Sequence, residues 1–292
     1  MTHTAIDLPR LPIGDWCAAV VLWAQENLGP ILDAIYSVLR ALDDKLAAGL
    51  HVVPALLMAV ILGLVAWAAS SWKLGVGTLL GMLLISTMGM WDEAMDTLSL
   101  VIVCSVVAMA FALPIGVAAA RYEAVSHVVR PVLDFMQTLP VFVYLIPAVL
   151  LFGIGVVPGM VATIVFAMPP GVRLTELGIR QVDREVVEAG HAFGAAPRRI
   201  LTRIQVPLAM PTIMAGVNQV IMLALSMVVV AGMVGAGGLG ALVYQGITTM
   251  DMPLGFEGGI AVVILAMFLD RITAGLAGRS PVARVSKATA RA

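Results

Sequence analysis

The residues with a pattern worth reading chemically fall in one stretch, Gly178 to Leu208, the only extended polar segment between apolar runs. Asp183 and Glu185 stand where acidic side chains favour the N-terminal dipole of a short helix, and Val186, Val187, Ala189 and Phe193 form its apolar stripe. Gly194 suits a left-handed helix end. Pro197 suits the first turn of a second helix, which carries Arg198, Arg199 and Arg203 and is expected to end at Pro207. The pattern predicts a helix, a turn and a helix held rigidly at a membrane face. Other motifs carry less. GAGGLG at 235–240 satisfies a dinucleotide-binding pattern, but no strand precedes it. It therefore reads as a tight glycine turn at the end of a span. No phosphate-binding loop of the G-x-x-x-x-G-K-[ST] kind precedes Lys45, Lys73 or Lys287, so the chain has no such means of hydrolysing ATP. His3, His51, His127 and His191 show no metal-ligand spacing, and Cys17 and Cys104 are too few for a disulfide framework.

The elements that must position this loop are membrane-spanning. Hydrophobic residues make up 61% of the 292 residues and charged residues 12%, against about 45–50% and 25% in soluble domains. Mean hydropathy is +1.02. Such a chain cannot supply a polar skin, which excludes a soluble enzyme and a disordered hub. The net charge of −1 gives no bulk attraction for nucleic acid. Charge-free intervals long enough for a crossing of about 20 residues predict seven helical spans, at 53–70, 72–90, 97–120, 135–153, 158–177, 209–233 and 258–276. Lipid offers the backbone no hydrogen-bond partner, so these runs must be helical. With residue 1 outside, every basic residue except Arg10, Arg40 and Lys45 falls on the cytoplasmic side. The positive-inside bias thus favours an outer N-terminus and a cytoplasmic C-terminus.

Residues 1–50 are read as an extracytoplasmic amphipathic region of one or two helices. Val20, Trp23, Ile31, Ile35, Leu39, Leu42 and Leu46 recur at helical spacing with charges between them. Residues 51–91 add two spans, 92–276 form the core with its loop at 178–208, and 277–292 make a basic cytoplasmic tail. Polar groups inside spans attract a functional reading. Gln137 and Thr138 in the fourth span, and Asn218, Gln219 and Ser226 in the sixth, either line a translocation path or make interhelical hydrogen bonds. Asp134, Glu176 and Asp270 sit at cytoplasmic span ends and read as ion pairs, Glu176 with Arg173 or Arg180. Gly77-x-x-x-Gly81 would let two helices approach closely.

The loop also carries a resemblance. Glu188-Ala189-Gly190, three residues, Gly194, nine residues, then Ile204-Gln205-Val206-Pro207 resembles the EAA loop of ABC importer permeases, with Gly190 in place of the second alanine and Val206 in place of leucine. The segments at 135–159, 166–179, 207–240 and 264–273 resemble the permeases of glycine betaine/proline betaine importers, the quaternary-amine branch of the type I family. This implies an all-α transmembrane domain of about seven helices and no enzymatic activity. It also implies that Glu188, Ala189, Gly190 and Gly194 lie in a coupling helix docking on an ATPase, and that Ile204 and Pro207 either belong to the same coupling loop or only shape re-entry into the bilayer. ATP and Mg would be bound by that ATPase, with no cofactor in this chain. One coupling loop per chain implies a permease homodimer on an ATPase dimer, served by a separate extracytoplasmic binding protein and embedded in membrane lipid. Another small solute (an amino acid, a sulfonate or choline) is the alternative cargo. A stand-alone secondary transporter is the alternative mechanism, but the mid-span positions lack carboxylates.

Overall fold

The computed structural model describes residues 12–278, and they are helical almost throughout. The helices in order are α1 (Ile13–Asn27), α2 (Gly29–His51), α3 (Ala55–Ala69), α4 (Trp72–Thr87), α5 (Trp91–Arg121), α6 (Glu123–Thr138), α7 (Val141–Phe152), α8 (Val156–Arg180), α9 (Arg184–Ala192), α10 (Pro197–Ile200), α11 (Val206–Met233), α12 (Gly238–Thr248) and α13 (Met252–Ala277). A π-helical segment, Leu201–Gln205, joins α10 to α11. The basic tail with Arg279, Arg284, Lys287 and Arg291, and His3 and Arg10 at the other terminus, lie outside the described residues.

Seven straight crossings are not what forms. Four helices are long and apolar enough to cross a membrane: α5, α8, the continuous 37-residue run Pro197–Met233, and α13. Counting each bent pair as one span gives up to six. The expected fourth span, 135–153, is broken: α6 and α7 meet at 98°. Leu139 is extended there (ψ 134°) and Pro140 follows it, as the clash between a proline ring and the preceding residue's helical conformation requires. The 12 residues of α7 reach only about 18 Å, short of the ~30 Å hydrocarbon core. The first two expected spans become an antiparallel hairpin of 15 and 16 residues, α3 and α4. A charge-free interval records apolarity, not straightness, and this is why the intervals did not reveal the bends or the shortness of α3, α4 and α7.

The core lies where α5, α8 and α11 meet. Val101, Cys104, Ala108 and Ala112 of α5, Met160, Ala167 and Val172 of α8, and Val220, Ala224 and Ala231 of α11 are all fully buried. Small residues set the separation: a methyl on Gly171 would lie 2.9 Å from both Ala112 Cβ and Met109 Sδ. Close approach of this kind, rather than a hydrophobic drive, holds helices together in lipid. The Gly77/Gly81 pair divides: Gly81 approaches Ile264 of α13, while nothing lies within 4 Å of a methyl on Gly77.

The N-terminal region forms two helices. α1 buries no residue and exposes Trp16, Val20 and Trp23. α2 is partly sunk into the bundle: Leu39 and Asp43 are buried, and Ser99 of α5 donates to Asp43 Oδ1 at 2.8 Å. His51 at its end faces Asp96 at 2.8 Å and Asp92 at 3.5 Å. The chain then bends 106° into α3.

Candidate functional site

The loop between α8 and α11 is a rigid elbow with identifiable joints. Asp183 caps α9, its Oδ1 accepting from the Glu185 amide at 2.9 Å. At the other end Gly194 has φ +73°. The Ala195 amide donates to Gly190 O (3.1 Å) and the Gly194 amide to His191 O (2.9 Å). These paired bonds satisfy the last carbonyls of the helix, and glycine is favoured at the left-handed position they enclose. Pro197 then opens α10 in its first turn.

Gly190 explains the spacing of the motif. It is buried, and a methyl at its Cα would lie 3.0 Å from Ile204 Cδ1 and 3.4 Å from Ile200 Cγ1. α9 thus lies directly on the π segment, and Gly190 and Ile204, distant in sequence, form one contact. The expected end of the second helix at Pro207 is corrected: the helix runs through it. The Val206 amide bonds to Leu201 O in the wider π register, and the proline, which has no N–H to offer, sits in the first turn of α11. Pro207 is exposed and makes no joint of its own.

Much of the remaining surface of α9 is exposed. Glu188 and Ala189 are exposed, and Glu188 has no ion-pair partner among the described residues. Phe193, expected in an apolar stripe, is 91% exposed, the most exposed large hydrophobic residue among those described. A bare aromatic on a fixed support is unfavourable in water and favourable as an interface anchor. Sequence reasoning placed Phe193 in the loop but did not single it out; its position beside Gly194 at the helix end was the available signal.

The five residues considered for a translocation path are not brought together. Gln137 and Thr138 end α6, exposed at the bend and not within a straight span; Thr138 Oγ1 donates to Phe135 O at 2.9 Å. Asn218 forms a clamp between α11 and α13. Its Nδ2 donates to Asp270 Oδ1 (2.9 Å), and its Oδ1 accepts from Thr273 Oγ1 (2.6 Å). Gln219 and Ser226 lie on a different stripe of α11, exposed together with Leu208, Met222 and Met233. Replacing Asn218 by Ala is expected to cost about 1 kcal/mol, the usual scale for interhelical hydrogen bonds in membranes. Thermal unfolding in detergent should show this as a modestly lowered Tm with α-helical content unchanged.

The ion pairs are partly rearranged from expectation. Arg173 pairs with Asp134 of α6. Glu176 is buried and takes Arg180, Arg130 and Ser126 instead. Asp270 has Arg271 at 3.8 Å besides Asn218. The glycine-rich stretch is a turn, as expected, with positive φ at Gly235, Gly237 and Gly238. The Leu239 amide donates to Thr97 Oγ1 at 2.8 Å, fastening the turn to α5.

A helical bundle with a short helix fixed across the ends of two long ones is the arrangement of a type I ABC importer permease. A solved structure of the MetNI methionine ABC transporter, in an inward-facing conformation, matches with a TM-score of 0.52 at 23% identity, covering 62% of this chain and 92% of that one. Residues 112–279 match the family described as binding-protein-dependent transport system inner membrane component. The glycine betaine transport system permease protein OpuAB of Bacillus subtilis (strain 168) is 46% identical over 266 residues, 91% of this chain and 94% of that protein. The glycine betaine/proline betaine transport system permease protein ProW of Escherichia coli (strain K12) is 45% identical over 263 residues, 90% of this chain and 74% of that one. The chain therefore belongs to the family of binding-protein-dependent transport system inner membrane components. It is a multi-pass membrane subunit of an ABC importer and not an enzyme.

Proposed function

We propose that this chain is the translocating subunit of an ATP-driven importer for glycine betaine, proline betaine or a related quaternary amine. The similarity to OpuAB and ProW over about nine-tenths of the chain supports the cargo. The observation that carries the mechanism is α9, a short helix locked to the bundle through Gly190 and Gly194 while Glu188, Ala189 and Phe193 face outward. In this reading α9 docks in a cleft of the ATPase subunit, which binds ATP and Mg. ATP-driven closure of two ATPase subunits pushes two such loops together and turns the permease from inward- to outward-facing. One loop per chain favours a homodimer, and the exposed stripe of α11 through Gln219 and Ser226 is the face most suited to line its path, with Gln137 and Thr138 beside the α6–α7 bend.

The positive-inside bias places α9, and the turn between α3 and α4 that carries Lys73, on the cytoplasmic face of the inner membrane. The N-terminus is then outside, with Trp16 and Trp23 of α1 at the outer interface. A quaternary ammonium is best held by an aromatic cage, and aromatic residues are only 6% of this chain. Tight capture therefore belongs to the extracytoplasmic binding protein. Uptake of labelled glycine betaine into proteoliposomes tests the proposal. It should require the ATPase, ATP on the α9 side and the binding protein on the other. Uptake by the permease alone, driven by an ion gradient, would contradict it.

A further inference from the structure

The inference drawn here rests on the coupling reading above and concerns how the loop's movement enters the membrane. Glu176 lies one turn from the end of α8, with its side chain only 4% exposed. Three donors from two helices converge on its Oε1: Arg130 Nη2 of α6 at 2.9 Å, Ser126 Oγ of α6 at 2.7 Å, and Arg180 Nε at 2.9 Å. Arg180 is the last residue of α8 and the root of the coupling loop. Its Nη2 also donates to Ala119 O in the last turn of α5 at 2.9 Å, and it lines a small cleft together with Glu188 and Gln205. One carboxylate thus holds the loop's root to α6, and the arginine it holds fastens the end of α5.

A buried carboxylate facing two guanidinium groups is a costly arrangement to keep merely for stability, since well-packed apolar groups serve as well or better. Its geometry is bidirectional, however: removing it leaves two like charges facing each other. α6 has few other ties to α8. A second ion pair, Asp134 with Arg173, lies further along α6 toward the α7 bend, and Leu133 is its principal buried apolar side chain. Beyond α6 the chain turns 98° into α7, and Tyr144 of α7 donates its hydroxyl back to Met136 O, bracing the corner.

We propose that Glu176 is a positioning residue for ATP-driven transport, coupling α6 to the root of the loop so that displacement of α9 carries α6 and its corner with α7 as one body. The loop's push then reaches the membrane along two routes. One is the continuous helix Pro197–Met233. The other is the Glu176 hub, which delivers it to the corner bearing Gln137 and Thr138.

The test uses the full complex of permease, ATPase and binding protein in proteoliposomes, with ATP hydrolysis and glycine betaine uptake measured together. Glu176→Gln keeps the shape and the capacity to accept hydrogen bonds but removes the charge; Arg130→Gln removes the α6 side of the pair. In both, ATPase binding should be retained and solute moved per ATP hydrolysed should fall about fivefold or more, the lower range of coupling between sites. Arg130→Lys, which preserves the charge, should recover much of the ratio. Arg130 has a side chain 56% exposed, so its variants keep the test open if Glu176→Gln does not fold. Unchanged uptake per ATP in folded, ATPase-bound Arg130→Gln would overturn the proposal. A wild-type complex that fails to bind the ATPase, or to import with ATP, would instead overturn the coupling reading on which it rests.

Discussion

Replacing Phe193 by Ala is expected to weaken binding of the ATPase about thirtyfold and to reduce ATP-driven uptake accordingly at limiting ATPase. The side chain is 91% exposed in the isolated chain, so its loss costs the fold nothing and any effect must lie in an interface. An aromatic anchor in a well-packed interface is worth about 2 kcal/mol or more, and each 1.4 kcal/mol or so is tenfold in affinity. Glu188→Arg, at an exposed position of α9 beside the cleft it lines with Arg180 and Gln205, reverses a charge while leaving the buried contacts of Gly190 with Ile200 and Ile204 intact. It should likewise impair docking. Binding of the purified ATPase to immobilised permease measures both variants directly. Wild-type affinity in both would place the docking surface elsewhere.

The largest effect on the fold itself is expected at Gly240. A methyl there would stand 2.1 Å from Val228 O and 2.6 Å from Val228 C, both backbone atoms of α11. A backbone carbonyl in the middle of a core helix cannot swing aside as the tip of a side chain can, so α12 must separate from α11. Gly240→Ala should therefore cost about 3 kcal/mol, the upper end of ordinary overpacking, and give a large fall in Tm or loss of recoverable protein. Gly259→Ala is the control, since nothing lies within 4 Å of a methyl at that helical position. It should leave Tm within a degree or two of wild type. A stable Gly240→Ala protein would mean that α11 and α12 do not cross as closely as described.

What could be read from the sequence was what depends on local chemistry. The acidic helix start at Asp183 and Glu185, Gly194 as a left-handed helix end, Pro197 in a first turn and the glycine turn at 235–240 each follow from the local chemistry of one or two residues, and each is found in the structure, where Asp183 also proves to be a cap. The helical class followed from hydropathy and the absence of partners for the backbone in lipid. What escaped depends on residues far apart in the chain. A proline usually interrupts a helix, so from the sequence Pro207 reads as a stop. The π register beneath it, which absorbs the missing donor, has no local signature in LTRIQ. The choice of Arg130 and Ser126 as partners of Glu176 across some fifty positions depends on how α6 folds back along α8. The bend at Leu139–Pro140 that allows this was hidden inside an uncharged interval. Asn218 and Gln219 are neighbours in sequence, yet one clamps α13 and the other faces outward. Adjacent helical positions point about 100° apart, and only the packed bundle decides which is which.

The central claim, that α9 is the part of this chain an ATPase grips, is tested most directly by contact. A photoreactive phenylalanine analogue placed at 193 in the assembled transporter, irradiated in the membrane, should cross-link to the ATPase subunit. The yield should change when ATP is bound and trapped. The same group placed at the exposed Phe256 of α13 should give no ATPase adduct. An active complex in which position 193 captures only lipid or the binding protein, and never the ATPase, would contradict the account.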